Sequence, residues 1–300
     1  MSDVAAIIAN YEGALHLPDC LDSLAAQTAP PAEVIVVDAG SSDESRSLAA
    51  ARGARVLERA NAGLGWLYNE GTRATATEYV LLANNDVAFE PRCLELLVAA
   101  LDADDSLFAA DPRQVDWAGR RTIHARTALR RGPLLRTAVP GLVVDFDAEP
   151  YSGPPVPTAW ANAGAMLARR DRLLALCGFD ETFFIDYEDA DLCWRAWFRG
   201  WGCVYVPDAV LRHKVGASNT APASRRRLAS SHHNLVRFAL KCFPPGAAAR
   251  VVAAELIRLP RLPRPVGSAW LSVLRELPGI ARERRRLGPH GDVFDRLTSL

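Results

Sequence analysis

Short apolar runs alternate with helical segments through the first hundred residues of the chain. Residues 4–9, 34–37 and 79–83 are each long enough to form a buried strand, and residues 55–57 form a shorter one. Buried parallel strands read as continuous apolar runs, and their connections require helical crossovers. This alternation therefore predicts an α/β fold with a mostly parallel central sheet flanked by helices, similar to a Rossmann sheet.

A polar turn follows three of the predicted strands, at residues 10–13, 38–43 and 84–86. Open parallel sheets bind ligands at the edge formed by the carboxyl ends of the strands. Asp86 can bind Mg²⁺ or Mn²⁺, which prefer oxygen ligands and also take up diphosphate oxygens. Asp38 can accept a hydrogen bond from a nucleobase. Both acids also suit ordinary turn and capping chemistry, so that alternative stays open.

An acidic cluster occupies residues 186–191, at the start of a predicted helix. If Asp186 is the N-cap, Asp189 lies at the third helical position, which is a capping-box arrangement. Asp191 and Arg195 are four residues apart and are predicted to form a structural ion pair. Asp189 points elsewhere. A carboxylate that faces a dry cleft from this position can take a proton from an acceptor hydroxyl.

Two further side chains are candidates with equally plausible structural roles. His213 ends the second of two predicted strands, 203–206 and 210–213, and is either a structural histidine or a metal ligand. Trp160 precedes the turn at 161–165 and either packs in the core or stacks on a sugar ring. The chain has no P-loop, GxSxG or HExxH motif, which argues against a P-loop NTPase, a serine hydrolase and a zinc protease.

Basic residues are concentrated in the last eighty positions. Residues 221–300 hold fifteen Lys or Arg against five acids, while the whole chain is neutral, so we expect no nucleic-acid partner. Helices are predicted at 228–242, 247–259 and 270–277, with Pro278 ending the last one. The chain is therefore divided into a catalytic domain, residues 1–220, and a basic helical extension, residues 221–300. The extension suits a membrane surface, a packed helical layer or a homodimer contact.

The six cysteines are scattered, form no CxxC pair and follow no secretory signal. This usage is typical of buried free thiols in a reducing compartment. No apolar stretch reaches the length of about eighteen residues that a membrane span needs. We expect a cytoplasmic protein that is either soluble or peripheral at the inner face of the cell membrane.

The ordered set of motifs resembles the family 2 glycosyltransferases, inverting enzymes of the GT-A fold, and in particular their rhamnosyltransferase-like members. The resemblance covers residues 3–220. The segments that carry it are residues 8–11, 36–43, 61–71, 82–86, 164–166 and 178–195, and His213.

The resemblance implies a role for each matching residue. Asp189 is the general base, with Glu188 as the weaker candidate, and Asp86 and His213 hold a Mg²⁺ or Mn²⁺ ion. Asn84 stands where many members have the first acid of an Asp-x-Asp motif. The residues implied to bind the nucleotide or donor are Asn10, Tyr11, Glu12, Asp38, Asn61, Gly63, Asn69, Asn84 and Asn85. The candidates for binding the acceptor or sugar are Trp160, from its place beside the turn, and Gly164 and Ala165, which lie in a matching segment.

The implied function is transfer of a sugar from a nucleotide-diphosphate sugar, such as dTDP-rhamnose or a UDP-sugar. The implied acceptor is a hydroxyl of a glycan or lipid-linked glycan in cell-surface polysaccharide synthesis. Two alternatives remain. One is a nucleotide-sugar-binding or scaffold protein that has lost catalysis, which the uncharged Asn84 would suit. The other is a sugar nucleotidyltransferase, although the turn at 10–13 lacks the Gly-rich, basic loop of that class.

Overall fold

A computed structural model describes residues 3–131, 142–146, 151, 153–214, 221–258, 260, 264–288 and 290–300. In chain order the elements are β1 (Val4–Asn10), α1 (Leu17–Ala25), β2 (Glu33–Asp38), α2 (Ser45–Ala51), β3 (Arg55–Glu58), α3 (Leu64–Arg73), β4 (Tyr79–Asn84), β5 (Val87–Phe89), α4 (Cys93–Asp102), β6 (Leu107–Asp116), β7 (Thr122–His124), β8 (Thr127–Arg131), β9 (Leu142–Phe146), β10 (Val156–Thr158), β11 (Ala165–Arg169), α5 (Arg170–Ala175), α6 (Glu188–Phe198), β12 (Gly202–His213), α7 (Ala221–Cys242), α8 (Pro245–Arg258), α9 (Arg264–Leu287) and α10 (His290–Leu297).

The central sheet has the strand order β10-β12-β6-β11-β4-β1-β2-β3. Strands β3, β2, β1 and β4 are parallel, β11 runs antiparallel between β4 and β6, and β12 is parallel to β6. The predicted mostly parallel α/β sheet is thus confirmed. Register pairs Asn10 with Asp38, and Ala9 with Asn84. The polar turns after β1, β2 and β4 therefore meet at one edge of the sheet.

Helices cover both faces of the sheet, and each strand contributes alternate side chains to the two layers. Ile8 belongs to the layer under α1 and α4, whereas Ile7 and Ala9 belong to the layer under α3 and α6. Because β1 is buried along its whole length, its sequence is a continuous apolar run rather than an alternating one.

One strand prediction was wrong in detail. The strands predicted at 203–206 and 210–213 are a single strand, β12, which pairs with β6 on both sides of a register shift between Val206 and Val210. Proline at position 207 lacks a backbone N–H, so the ladder is interrupted there, and a bulge lets the strand continue. His213 is consequently carried to the same edge of the sheet as Asp86.

The predicted capping box at Asp186 was also wrong. Helix α6 begins at Glu188, and its N-cap Tyr187 makes no side-chain capping hydrogen bond. Both Asp186 and Tyr187 are left-handed, with φ of 69° and 68°. Such angles cost of order 1–3 kcal/mol per residue and need support from surrounding structure. The predicted Asp191–Arg195 pair is confirmed, with Arg195 Nε 2.8 Å from Asp191 Oδ2.

The predicted C-terminal helices are present, but α7 begins at Ala221 instead of residue 228, and α10 was not predicted. Helix α9 continues through Pro278 to Leu287 instead of ending near residue 277. A third apolar cluster joins α6 to α7 and α10, and Trp194 of α6 packs against Phe238 and Phe243. In the part of the chain that the structure describes, no helix combines the length and the apolar character needed to cross a membrane.

Candidate active site

Asn10, at the end of β1, connects the turns that follow β2 and β4. Its Nδ2 donates to Asp38 Oδ2 at 2.7 Å and to Ser45 Oγ at 2.9 Å, and its Oδ1 accepts from Asn85 Nδ2 at 2.7 Å. Gly13 leaves room for this arrangement, since a Cβ there would lie 2.0 Å from Asn10 Oδ1. Asn10 therefore fixes the relative positions of two predicted binding turns.

Asp38 is fully buried, and both of its carboxylate oxygens are satisfied by the protein. Oδ1 accepts the backbone N–H groups of Gly40 and Ser41 at 3.1 and 2.9 Å, and Oδ2 accepts from Asn10 and from the Ser41 hydroxyl. Asp38 thus stabilises the turn at 38–43. Its direct contact with a nucleobase remains a prediction.

Glu12 and Tyr11 lie on the outer side of the same edge. Glu12 is left-handed, with φ of 48°, and its Oε1 accepts the Ser42 N–H at 2.9 Å. This bond ties the turn after β1 to the turn after β2. Tyr11 is 54% exposed, so its ring is accessible to a ligand. Donor binding by both residues remains a prediction.

The segment from Asn61 to Asn69 packs against the chain that leads into α6. Gly63 has φ of 114°, and a Cβ there would lie 2.9 Å from the Phe184 carbonyl oxygen, so only glycine allows this approach. Asn61 is exposed. Asn69 is buried, accepts the Phe179 N–H at 2.8 Å and donates to the Phe179 carbonyl at 3.0 Å. We therefore infer that Asn69 stabilises the turn at 178–181 rather than binding the nucleotide-sugar.

Asp86 and His213 form the candidate cation site. Nε2 of His213 lies 3.2 Å from Asp86 Oδ1, and this buried oxygen has no hydrogen-bond donor. The two atoms are close but are not aligned for a hydrogen bond. Nδ1 of His213 is 2.9 Å from Gln114 Oε1. Adjacent ligands of a cation with bond lengths of about 2.1 Å lie roughly 3 Å apart, so the observed spacing fits a shared ion.

The rest of the coordination would come from outside these two side chains. Among the described residues, no group of three or more His, Cys, Asp or Glu side chains is placed to hold a metal. Asn84 does not add a charge, and its Oδ1 lies 3.1 Å from the Tyr68 hydroxyl. The residues present therefore fit a cation that also binds ligand oxygens.

Tyr68 and Ala163 connect Asn84, at the end of β4, to Asp189. The Tyr68 hydroxyl donates to the Ala163 carbonyl at 2.8 Å, and the Ala163 N–H donates to Asp189 Oδ2 at 3.2 Å. Burial raises the pKa of Tyr68 well above its ordinary value, and the charges of Glu188, Asp86 and Asp189 add to the effect. The acids from β4 and α6 thus surround one buried phenol.

Glu188 and Asp189 are adjacent but differ in environment. Burial raises the pKa of Asp189 to about 6, against the opposing effect of hydrogen bonds from the Ala163 and Ala190 N–H groups. Burial raises the pKa of Glu188 well above its ordinary value, and the charge of Asp189 adds to this. Glu188 Oε2 has no hydrogen-bond partner. At neutral pH Asp189 is therefore the ionised member of the pair.

A second layer of polar residues was missed by the sequence analysis. Asp111 is fully buried; its Oδ2 lies 2.9 Å from His124 Nε2 and its Oδ1 accepts the Asn162 N–H at 3.1 Å. Burial lowers the pKa of His124, but the carboxylates of Asp111 and Asp189 raise it above its ordinary value overall. Asp111 follows the apolar run 107–110, and the same pattern had singled out Asp38 and Asp86. That signal could have found it.

The predicted acceptor residues differ in accessibility. Gly164 is buried where β4, β11 and β12 converge: its N–H donates to Asn162 Oδ1 at 2.9 Å and its carbonyl accepts the Asn84 N–H at 2.9 Å. Ala165 is fully buried opposite Ala83. Trp160 is half-buried and packs against two of the core clusters. Of the three, only the Trp160 ring offers partly exposed surface to a sugar, and that contact remains a prediction.

The sheet, its flanking helices and the acidic carboxyl edge define the chain as a GT-A glycosyltransferase fold. GalNAc-T7, solved with UDP, GalNAc and Mn²⁺, superposes with a TM-score of 0.62 at 15% identity, covering 82% of this chain and 49% of GalNAc-T7. A mannosyltransferase of Pyrobaculum calidifontis, solved with GDP-Man and Mn²⁺, superposes with a TM-score of 0.56 at 17% identity, covering 95% of this chain and 84% of the mannosyltransferase. Both likenesses concern the fold.

Two sequence comparisons connect the chain to known glycosyltransferases. The model of glycosyl transferase family 2 matches residues 5–152. An N-acetylglucosaminyl-diphospho-decaprenol L-rhamnosyltransferase of Mycobacterium tuberculosis is 29% identical over 261 residues, covering 79% of this chain and 84% of the relative. Residues 5–152 thus match the family 2 glycosyltransferases, and the chain is a glycosyltransferase.

Proposed function

We propose that the protein is an inverting glycosyltransferase that acts on a lipid-linked glycan in cell-surface polysaccharide synthesis. The donor would be a nucleotide-diphosphate sugar, with dTDP-rhamnose as the first candidate and UDP-sugars as the next. One observation carries the proposal: Tyr68 and Ala163 link Asn84, two residues before Asp86, to the ionised carboxylate of Asp189 at a single sheet edge. The lipid-linked acceptor and the sugar are suggested by the name of the mycobacterial relative.

Asp189 is the residue proposed to accept the proton of the attacking hydroxyl. Its pKa of about 6 leaves it ionised at neutral pH yet more basic than an ordinary aspartate. The Ala163 and Ala190 N–H groups fix both of its oxygens. An activated hydroxyl attacks the anomeric carbon as the nucleotide diphosphate leaves from the opposite side, and this single displacement inverts the configuration.

Asp86 and His213 would hold the divalent cation, and the mixed oxygen and nitrogen ligand pair favours Mn²⁺ over Mg²⁺. When bound, such an ion neutralises the charge that develops on the departing diphosphate. The turn at 38–43, held by Asn10 and Glu12, lies beside this pair and is proposed to receive the nucleoside.

A binding assay followed by a transfer assay tests the function. Melting temperatures are measured with dTDP-rhamnose, UDP-sugars and GDP-mannose, each with and without Mn²⁺, and transfer is measured to a synthetic GlcNAc-diphospho-polyprenol. We expect one donor to raise the melting temperature, more so with Mn²⁺, and Asp189→Asn to abolish transfer while donor binding persists. The product anomer, read by NMR, should be inverted.

The outcomes separate the remaining alternatives. Retention of configuration would overturn the inverting mechanism. Donor binding without turnover on any acceptor would instead support the nucleotide-sugar-binding protein, which the single-carboxylate cation site and Asn84 make a specific alternative. No thermal shift with any donor would overturn the assignment of the site.

The basic helical extension is proposed to approach the membrane that carries the acceptor. Helices α8 and α9 carry five exposed apolar side chains, here called the outer leucine patch: Leu256, Ile257, Leu271, Leu274 and Leu277. Leu256 and Leu277 line one apolar groove of ≈ 650 Å³. Exposed arginines, including Arg282 and Arg285, follow on the same helix. Apolar and basic surface together suit an anionic lipid surface.

Vesicle flotation tests this contact. The protein should float with phosphatidylglycerol-containing vesicles, and Leu271→Glu/Leu274→Glu should weaken binding by about 30-fold or more, because two leucine contacts of at least ~1 kcal/mol each are lost. Leu174→Glu, an exposed leucine on α5, is the matched control. Equal flotation of the double variant and wild type would exclude the patch as the contact.

A further inference from the structure

The side-chain amide of Gln114, on β6, has one orientation that satisfies its neighbours. Asn162 Oδ1 accepts the backbone N–H of Gly164 at 2.9 Å, which identifies that atom as the amide oxygen. The Gln114 atom 3.2 Å from this oxygen must then be the donor, Nε2. The Gln114 oxygen, Oε1, is consequently turned toward His213.

This orientation decides which ring nitrogen of His213 carries the proton. Nδ1 lies 2.9 Å from Gln114 Oε1, and an amide oxygen can only accept, so Nδ1 is the donor. A neutral imidazole has a single N–H, so Nε2 retains its lone pair. Nε2 is the atom 3.2 Å from Asp86 Oδ1.

We propose that Gln114 is a positioning residue that holds His213 in the Nδ1–H tautomer and so presents Nε2, beside Asp86, as a ligand for a divalent cation. The cation part of this inference rests on the proposed function; the tautomer does not. Gln114 is 2% exposed, so bulk water does not compete for its oxygen. The backbone N–H of Gly164 thus fixes the orientation of the Asn162 amide, and Asn162 fixes that of Gln114. Gln114 in turn sets the tautomer of His213.

The chain contains a matched residue for comparison. Gln27 is also a buried glutamine, 5% exposed, and its amide bonds the Glu90 carbonyl and the Leu94 N–H. It lies under α4, outside the site. Removing its amide imposes a similar loss of buried hydrogen bonds without touching His213.

The tautomer is read directly by long-range ¹H–¹⁵N NMR of the metal-free full chain at about pH 8, above the ordinary histidine pKa. The His213 signals are assigned by their loss in His213→Asn. Wild type and Gln114→Glu should show the Nδ1–H form, because a carboxylate also accepts, and Gln114→Met should shift toward the Nε2–H form. An Nε2–H ring in wild type, or no change in Gln114→Met, would overturn the inference.

Mn²⁺ binding, measured by the EPR signal of the free ion, tests the consequence. Gln114→Met should weaken binding about 10- to 100-fold, the usual effect of removing a partner that orients a ligand. Gln114→Glu should bind as tightly as wild type or more tightly, and Gln27→Met should equal wild type. Unchanged Mn²⁺ affinity in Gln114→Met would overturn the positioning role. Failure of wild type to bind Mn²⁺, with the tautomer as expected, would overturn the proposed cation site instead.

Discussion

At the residue scale, the environment gives two neighbouring carboxyls different protonation states at neutral pH. Glu188 is buried with one oxygen unpartnered, and its pKa is raised well above the ordinary value by burial and then by Asp189. Asp189 receives two backbone N–H groups, and its pKa is raised less, to about 6. Separated pKa values in one pair favour the proposed roles, in which ionised Asp189 is the base and Glu188 stays neutral.

Asp189→Asn should stabilise the fold above about pH 6 while it abolishes transfer. The carboxyl titrates at about 6 when folded, against an ordinary value near 3.9, so the folded state binds more protons between these pH values. Stability of the wild type therefore falls as pH rises through this window, by up to about 3 kcal/mol from this group. The variant has no carboxyl at this position and does not lose this stability. Its stability relative to wild type should therefore increase from pH 4 to pH 6 and then stay constant.

Urea denaturation at several pH values measures this difference. Asp208→Asn, which changes an exposed acid on β12, is the control and should follow the wild-type curve. A variant that is no more stable than wild type at pH 8 would contradict a strained, buried carboxylate at 189.

Gly164→Ala should disturb the site without unfolding the chain. A Cβ at this position would lie 2.7 Å from Asn162 Oδ1 and 3.3 Å from Asn84 Nδ2, so the Asn162 side chain must move. We expect transfer to fall by about 100-fold, as for other small misplacements in active sites, with an unchanged circular dichroism spectrum. Gly246→Ala on α8, where nothing lies within 4 Å, should retain full activity. Activity of Gly164→Ala equal to that of Gly246→Ala would contradict the tight packing.

At the scale of elements, α7 supports the turn that presents Asp189. Asn234 Nδ2 donates to the carbonyls of Ile185 and Asp186 at 2.8 and 2.9 Å, and Arg227 Nη2 lies 2.8 Å from Asp186 Oδ1. The turn is left-handed at two successive residues and would relax without such contacts. The helical extension thus contributes to the geometry of the predicted base.

Asn234→Leu should lower kcat more than it raises KM. The substitution keeps the branched shape of the side chain but removes the amide donor from two carbonyls, so Asp189 shifts relative to the acceptor. We expect a loss of about tenfold to 100-fold. Steady-state kinetics and thermal melting measure the two effects. Leu228→Ala, an exposed leucine on the same helix, should change neither. A variant with normal kcat would show that α7 does not position the turn.

At the scale of the whole molecule, buried charges join the C-terminal helices to the sheet domain. Lys241 Nζ lies 2.8 Å from both Asp180 Oδ2 and Asp191 Oδ1, and Arg237 also contacts Asp180. Both basic side chains are 3% exposed. The sequence predicted a boundary near residue 220, and that division stays a proposal. These contacts favour a helix packed on the sheet domain for α7. For α8 and α9, contact with a membrane surface remains the proposal, because of the outer leucine patch.

Lys241→Met should lower the free energy of unfolding by about 2 kcal/mol, because two buried carboxylates each lose one cationic partner and keep another, Arg237 at Asp180 and Arg195 at Asp191. Urea denaturation followed by tryptophan fluorescence measures the change, and Trp194, which packs on α7, should report it directly. Arg250→Gln, an exposed arginine on α8, is the control and should stay within about 0.5 kcal/mol of wild type. A loss below 1 kcal/mol for Lys241→Met would mean that α7 is only loosely attached.

The sequence by itself determined the strand and helix alternation, the sheet edge that carries the polar turns, and the identity of Asp86, Asp189 and His213 as candidates. These follow from local rules, because burial on both faces requires apolar runs and strand ends require turn residues. The Asp191–Arg195 pair was predictable for the same reason, since helical spacing fixes which side chains meet.

Only the tertiary structure decided what each polar side chain touches. Asn69 and Asp38 lie in segments that resemble the family, yet both side chains form hydrogen bonds with other residues of the protein. Asp111 and Gln114 lie outside these motifs, and Tyr68 was not a predicted site residue, yet all three surround the candidate site. These contacts join residues far apart in the chain, and their partners depend on sheet register and on a bulge at 206–210. Local patterns contain no information on such registers, because the pairing free energy is set by the whole packed sheet.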